Sequence, residues 1–296
     1  MDAQPVTETR GVDSADLDLR STAELVALMN REDAHVPEAV ARALDEIAAL
    51  VDVVADRLAR GGRLVYVGAG TSGRLAQIDA EECAATFGTS SSRVVAVMAG
   101  SNANSVFERE AAEDDAHMGA VAVEALGLRP EDVVVVVSAS GSTPFALGAA
   151  RAAGRAGVFT AAVVCAEGSE LAALCDLEVA VVVGPEVLAG STRLKAGTAQ
   201  KLVLNTISTV AMVRLGKTYA GLMVDVVPAN EKLRGRVKRI VGEATGAPED
   251  AVDDALERAS GDPKVAIVSL LAGVDTRDAR ERLEANGGRV REAIGL

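Results

Sequence analysis

The chain has 296 residues, 49% of them hydrophobic and 25% charged, with a formal net charge of -13. So acidic a chain lacks the basic stripe that nucleic-acid binding needs, and with no Trp, two Tyr and four Phe it offers no base-stacking platform. Its length suits one large α/β domain plus a smaller appendage, and its apolar runs are too short or too interrupted to span a membrane.

Cys83, Cys165 and Cys175 are unclustered and odd in number, so neither a metal-ligand spacing nor a disulfide set is expected, and a reducing cytoplasm is the default location. The start of the chain is polar and acidic, without a signal-type apolar segment. His35 and His117 are the two histidines, which excludes a three-His zinc site. Carboxylates and hydroxyls must therefore carry most of any catalysis.

In chain order, residues 1–20 read as a loosely ordered polar arm. Ser21-Thr22-Ala23-Glu24 has the form of a helix start, and Val36-Pro37-Glu38 opens a second helix through about Leu58, with Val40, Leu44, Ile47, Ala48 and Val51 at helical spacing. Strands and helices then alternate. Arg63–Val67 is a strand, about Ser72–Phe87 a helix, Val94–Met98 a strand, and Ala103 to about Leu126 a largely helical stretch. Asp132–Val137 is a near-continuously apolar strand of the buried parallel kind, followed by a helix over Thr143–Ala153, strands at Phe159–Val164 and Leu177–Val183, and a long helix over Ser191–Leu215. This order predicts an α/β, doubly wound, parallel five-stranded sheet, with ligands outside the carboxyl ends of its strands. After about residue 235 short amphipathic segments predict a small C-terminal bundle of three or four helices. The expected division is an N-terminal helical arm (1–55), a sheet domain (56–235) and a small helical domain (236–296).

The turn after the first strand is Gly68-Ala69-Gly70-Thr71-Ser72-Gly73-Arg74-Leu75. A strand, a Gly/Ser/Thr turn and a helix N-terminus make a phosphate cradle, in which amide N–H groups and the Thr71 and Ser72 hydroxyls can donate to an anion and Gly73 lets the backbone come close. The glycines match G-x-G-x-x-G, but the next strand runs into Ala99-Gly100-Ser101-Asn102, without the carboxylate that a dinucleotide's ribose needs. A small phosphorylated metabolite fits better. A second hydroxyl-rich turn, Ser138-Ala139-Ser140-Gly141-Ser142-Thr143-Pro144, ends the third strand. Ser and Thr commonly cap helices, but two such turns at equivalent sheet ends argue for one site.

Asp79-Ala80-Glu81-Glu82 and Glu110-Ala111-Ala112-Glu113-Asp114-Asp115 offer carboxylates from two helices, either solvated faces or an acid–base pair. His117, four residues after Glu113, is expected on the same helical face. Gly190-Ser191-Thr192-Arg193-Leu194-Lys195 through Lys201 combines hydroxyls with three cations, which suits an anion or an ordinary helix surface.

Taken together, residues 68–75, Asp79 to Cys83, Ala112-Glu113-Asp114, Ser140-Gly141 with Thr143-Pro144, Gly190 to Lys201 and Val224 to Leu233 resemble the N-acetylmuramic acid 6-phosphate etherases, over nearly the whole chain. The resemblance implies the sugar isomerase (SIS) fold with a small UBA-like helical end. It also implies a cytoplasmic homodimer without metal or cofactor, whose partner molecule is a sugar phosphate. The implied reaction cleaves the D-lactyl ether of N-acetylmuramic acid 6-phosphate, giving N-acetylglucosamine 6-phosphate and D-lactate in cell-wall sugar recycling. Glu82 and Glu113 match the family's catalytic glutamates. Thr71, Ser72, Gly73, Ser138, Ser140, Ser142, Thr143, Ser191 and Lys195 are the expected phosphate and substrate contacts. The pattern departs at Ser142, where family members carry Arg, and at Ala84-Ala85, which replace a Pro pair. An aldose–ketose isomerase of the same fold, or a non-catalytic sugar-phosphate sensor resembling the glucokinase regulatory protein, are the alternatives.

Overall fold

The computed structural model describes residues 9–11, 16–101, 103, 105–226 and 231–296. Most of the predicted arm before residue 16 lies outside the described residues, as do residues 227–230 of the Val224–Leu233 motif. The chain forms two compact units, one of residues up to 81 with 92–208, the other of 82–91 with 209–296.

In the first unit, α1 (Thr22–Asp33) opens on a capping box in which Ser21 and Glu24 satisfy each other's backbone N–H groups. The single helix expected from Val36 is two, α2 (Val36–Ala41) and α3 (Leu44–Ala59). Between them the chain tightens to a three-residue bond from Ala43 N–H to the Val40 carbonyl, and the Arg42 guanidinium crosses to the Val182 carbonyl.

The alternation then follows as β1 (Leu64–Gly68), α4 (Gly70–Phe87), β2 (Val94–Met98), α5 (Val106–Glu113), α6 (Ala116–Glu124), β3 (Val133–Ser138), α7 (Pro144–Arg155), β4 (Phe159–Val164), β5 (Leu177–Ala180) and α8 (Lys195–Arg214). The five strands form one parallel sheet in the order β2-β1-β3-β4-β5. Its core joins Val65, Val67, Val134, Val136, Ala162 and Val164 to the apolar face of α7, with Phe145, Ala146 and Ala149. The chain leaves β1 toward β2 and returns to the other side of β1 for β3. The carboxyl ends of β1 and β3 therefore flank the switch point of the sheet, where open α/β folds hold ligands. Register places Gly68 opposite Val137, so the two hydroxyl-rich turns emerge side by side.

The helix expected over Ala103–Leu126 is also two. Asp115 leaves the helical conformation and its carboxylate accepts the Met118 N–H at 2.9 Å, starting α6 afresh after α5 ends at Glu113. Glu113 is thus a helix-end residue, and the shared helical face expected for Glu113 and His117 does not exist.

The second unit holds a two-strand hairpin, β6 (Thr218–Tyr219) with β7 (Leu222–Met223). Among the described residues five helices follow where three or four were expected: α9 (Glu231–Thr245), α10 (Glu249–Arg258), α11 (Pro263–Ala272), α12 (Thr276–Ala285) and α13 (Val290–Ala293). They share a core of Val237, Val241, Val252, Ile267 and Leu283. Asp225 ties this unit together by taking both Lys217 and Lys264 at 2.8 Å. Among the described residues no helix is long and apolar enough to cross a membrane.

Candidate active site

The turn from β1 into α4 is shaped by its glycines. Gly70 opens α4 with φ +52°, and a Cβ on Gly73 would lie 2.7 Å from the Gly68 carbonyl oxygen and 2.5 Å from Met98 Cγ. Only glycine at 73 lets the first turn of α4 rest on the end of β1. The helix N-terminus is left facing the crevice, with Thr71 half-buried and Ser72 buried behind it. Ser72 Oγ lies 2.9 Å from Gln200 Oε1 on α8.

Glu113 comes to this turn from the end of α5. Its carboxylate lies against Gly70, whose backbone N–H hydrogen-bonds it. Burial raises the pKa of Glu113 above the ordinary carboxylate range, as do nearby Asp114 and Glu110, against the pull of Arg74 and the Gly70 amide. A half-buried carboxylate that holds its proton more tightly than usual, beside a helix N-terminus able to take an anion, is equipped for proton transfer. Glu82 stands on the second unit's share of α4, with an exposed side chain. Its neighbour Glu81 takes the Gln77 amide at 2.8 Å. Asp79 is buried and accepts from Ser208 Oγ at 3.0 Å and Asn205 Nδ2 at 3.2 Å, a structural tie between α4 and α8.

In the turn after β3, Ser138 Oγ accepts the Gly141 N–H at 3.1 Å and shares a hydrogen bond with Thr143 Oγ1 at 3.0 Å. This pins the loop shut. Ser140 Oγ accepts from both the Ser142 N–H (3.2 Å) and the Ser142 hydroxyl (2.9 Å). With both lone pairs engaged, the Ser140 hydroxyl proton is left to donate outward. Gly141 has φ +68° and packs against Ser169.

α8 begins beside the cradle, since a Cβ on Gly197 would sit 3.4 Å from Thr71 Cγ2. Its N-terminus is already occupied. The Lys195 and Ala196 N–H groups donate to the two oxygens of Glu186, at 3.0 and 2.9 Å, and Glu186 is fully buried. The Lys195 ammonium pairs with Glu32 Oε2 of α1 at 2.7 Å and is also buried. It borders a cavity of about 360 Å³ that Leu28, His35 and Val183 help to line. Arg193 and Lys201 are exposed, and Ser191 sits half-buried in the preceding turn.

The structure thus brings Thr71, Ser72, Gly73 and Glu113 to one turn and Ser138, Ser140, Ser142 and Thr143 to its neighbour, and gives Lys195 a protein partner. Glu32, Glu186 and Gln200 escaped the sequence reading. Glu186 follows a strand in a plain Gly-Pro-Glu, and Gln200 is one of several polar residues along α8. Neither carries a local signal.

Comparisons with known proteins bear on the fold and the family. Residues 46–153 match the model of the glucokinase regulatory protein N-terminal SIS domain. Among solved structures, a phosphoheptose isomerase from Francisella tularensis superposes with a TM-score of 0.52 at 18% identity, covering 66% of this chain and 100% of that one. The phosphoheptose isomerase of Neisseria gonorrhoeae gives 0.51 at 21%, covering 64% and 98%. At this distance the likeness shows the fold. Over nearly full length, the chain is 57% identical to the N-acetylmuramic acid 6-phosphate etherase of Rubrobacter xylanophilus, covering 98% of this chain and 96% of that protein. It is 52% identical to that of Streptomyces avermitilis, covering 97% and 93%. The sheet, its two hydroxyl-rich turns and this full-length identity lead to one assignment: the chain belongs to the N-acetylmuramic acid 6-phosphate etherase family.

Proposed function

We propose that this protein cleaves the D-lactyl ether of N-acetylmuramic acid 6-phosphate, releasing N-acetylglucosamine 6-phosphate and D-lactate. The observation that carries the reading is the Glu113 carboxylate held against Gly70 at the mouth of the α4 cradle. The full-length identity to relatives bearing that name supports it.

The 6-phosphate is seated by the amides of the α4 N-terminus with Thr71 and Ser72, and by the hydroxyls of Ser140, Ser142 and Thr143. Ser138 shapes the second turn, Gly73 admits the phosphate to the backbone, and Ser191 and Lys195 border the site from the α8 side. With the sugar open-chain, the C1 aldehyde acidifies the C2 proton. A carboxylate takes that proton, the C3–O bond breaks, and the lactyl oxygen leaves as an alcohol once protonated. Water then adds its oxygen to C3 and a proton to C2, so one water is consumed overall. The chemistry asks for two proton-transfer groups and firm holding of the phosphate. Glu113 is the carboxylate that the cradle itself carries. Glu82 takes the C2 proton on the strength of the family resemblance. No metal or cofactor enters this scheme. Action as a cytoplasmic homodimer in cell-wall sugar recycling belongs to the same reading.

Incubating the purified protein with N-acetylmuramic acid 6-phosphate and EDTA tests it. D-Lactate appearing in step with N-acetylglucosamine 6-phosphate is the expected result. Conversion to a ketose without lactate would point to an isomerase, and a thermal shift without any product to a sensor.

A further inference from the structure

Ser72 is the cradle hydroxyl nearest the interior, 8% exposed, and its only hydrogen-bond partner among the described residues is Gln200, 2% exposed. The amide oxygen of Gln200 faces Ser72, and its Nε2 is buried without a partner among the described residues. Two donor hydrogens are thus withheld from water with nothing among the described residues to receive them. Meanwhile the Ser72 proton, donated to Gln200 Oε1, is turned away from the anion seat.

A half-turn of the terminal torsion of Gln200 exchanges its oxygen and nitrogen while leaving every other atom in place. Nε2 then donates to Ser72 Oγ across the same 2.9 Å. The hydroxyl proton of Ser72 is released, and one of the buried N–H groups gains a partner. This state requires an acceptor for the freed proton. At the N-terminus of α4, the oxygen of a phosphate ester is such an acceptor.

We propose that Gln200 is a positioning residue that makes Ser72 a donor to the phosphate, and so helps the site distinguish phosphorylated from unphosphorylated sugars. The proposal rests on reading the α4 turn as the phosphate seat. Gln200 acts through Ser72 and does not itself touch the reacting atoms. An unphosphorylated sugar supplies no anionic oxygen at the seat, so the amide keeps its resting orientation.

The test is a double-mutant cycle read by calorimetry, with N-acetylglucosamine 6-phosphate and N-acetylglucosamine as probes. The proteins are wild type, Ser72→Ala, Gln200→Met and the double variant. Each single variant is expected to bind the sugar phosphate about tenfold more weakly, the size of one charge-assisted hydrogen bond. The double variant should be no weaker than the weaker single, and affinity for the unphosphorylated sugar should be unmoved. Wild-type affinity in Gln200→Met, or losses that multiply in the double variant, would overturn the proposal. Should Gln200→Met fail to fold, Gln200→Leu fills the site without supplying a donor or a charge, and unchanged phosphate binding there would overturn it equally. A wild type that binds neither probe removes the phosphate seat itself and the proposal with it, a failure visible before any variant is compared.

Discussion

The carboxylate of Glu113 and the backbone of Gly70 are in direct contact: a Cβ added at Gly70 would lie 2.9 Å from Oε1 and 3.3 Å from Oε2 of Glu113. One residue ends α5 and the other begins α4, so the contact joins the carboxylate proposed for proton transfer to the first turn of the proposed phosphate cradle. Replacing Gly70 by Ala should push the carboxylate away and strain a backbone held at φ +52°. The strain is about 1–2 kcal/mol. We expect a modest fall in thermal midpoint and a loss of kcat/KM of at least about tenfold, the scale of a misplaced catalytic group. Lactate release measured beside a melting curve separates the two.

Glu113→Gln should abolish most lactate release while leaving the fold intact. The stability effect has a definite sign. Burial raises the Glu113 pKa in the folded state, so the ionised form is disfavoured there. Below the unfolded pKa the protonated carboxyl costs nothing, and the wild type loses stability as pH rises through the folded pKa. The Gln variant should therefore melt higher than wild type at neutral pH, with the gap closing as pH falls through the carboxylate range. A gap that widens toward acid would contradict the assignment.

Ser140→Ala should raise KM for the sugar phosphate more than Ser142→Ala does. Ser140 accepts from both the amide and the hydroxyl of Ser142, which leaves its own proton for the ligand. Ser142 gives its proton to Ser140, so its own contact with the phosphate is the weaker of the two. Initial rates at varied substrate would show the order, and equal effects would refute it.

Glu186→Ala removes the acceptor for two amides at the start of α8 from a fully buried site. A hydrogen bond to a charged group contributes about 1.5–3 kcal/mol, so a loss of roughly that size or somewhat more is expected. Denaturant unfolding would measure it. Because α8 meets the cradle through Gly197 and Thr71, a rise in KM should accompany it.

Asp132→Asn supplies a control at the opposite end of the sheet. Asp132 is fully buried, and although burial pushes its pKa up, the Arg63 guanidinium and the Arg129 and Arg63 amides outweigh that and hold it low. The ion pair with Arg63 is 2.6 Å long. Such a pair contributes stability above the unfolded carboxylate pKa and loses it as pH falls through the folded one. Breaking it should cost about 3–5 kcal/mol at neutral pH and progressively less in acid, with activity per folded molecule unchanged.

The doubly wound sheet was legible in the order of apolar runs, because fully buried parallel strands such as Val133–Val137 need unbroken hydrophobic sequence and their crossovers need helices. The two hydroxyl-rich turns were legible because glycines with short polar side chains recur at the ends of two strands, each just before a helix. Helix breaks were not. The stops before Leu44 and after Glu113 depend on which local hydrogen bonds win: a tightened turn at Ala43 and a side-chain cap at Asp115. Tertiary structure alone decided that Glu113 meets Gly70, that Lys195 spends its charge on Glu32, that Glu186 fills the N-terminus of α8, and that Ser72 faces Gln200. Glu113 and Gly70 are 43 positions apart, Lys195 and Glu32 are 163, and Ser72 and Gln200 are 128. Pairings at such separations are set by how helices pack on the sheet, and periodicity along the chain carries no trace of them.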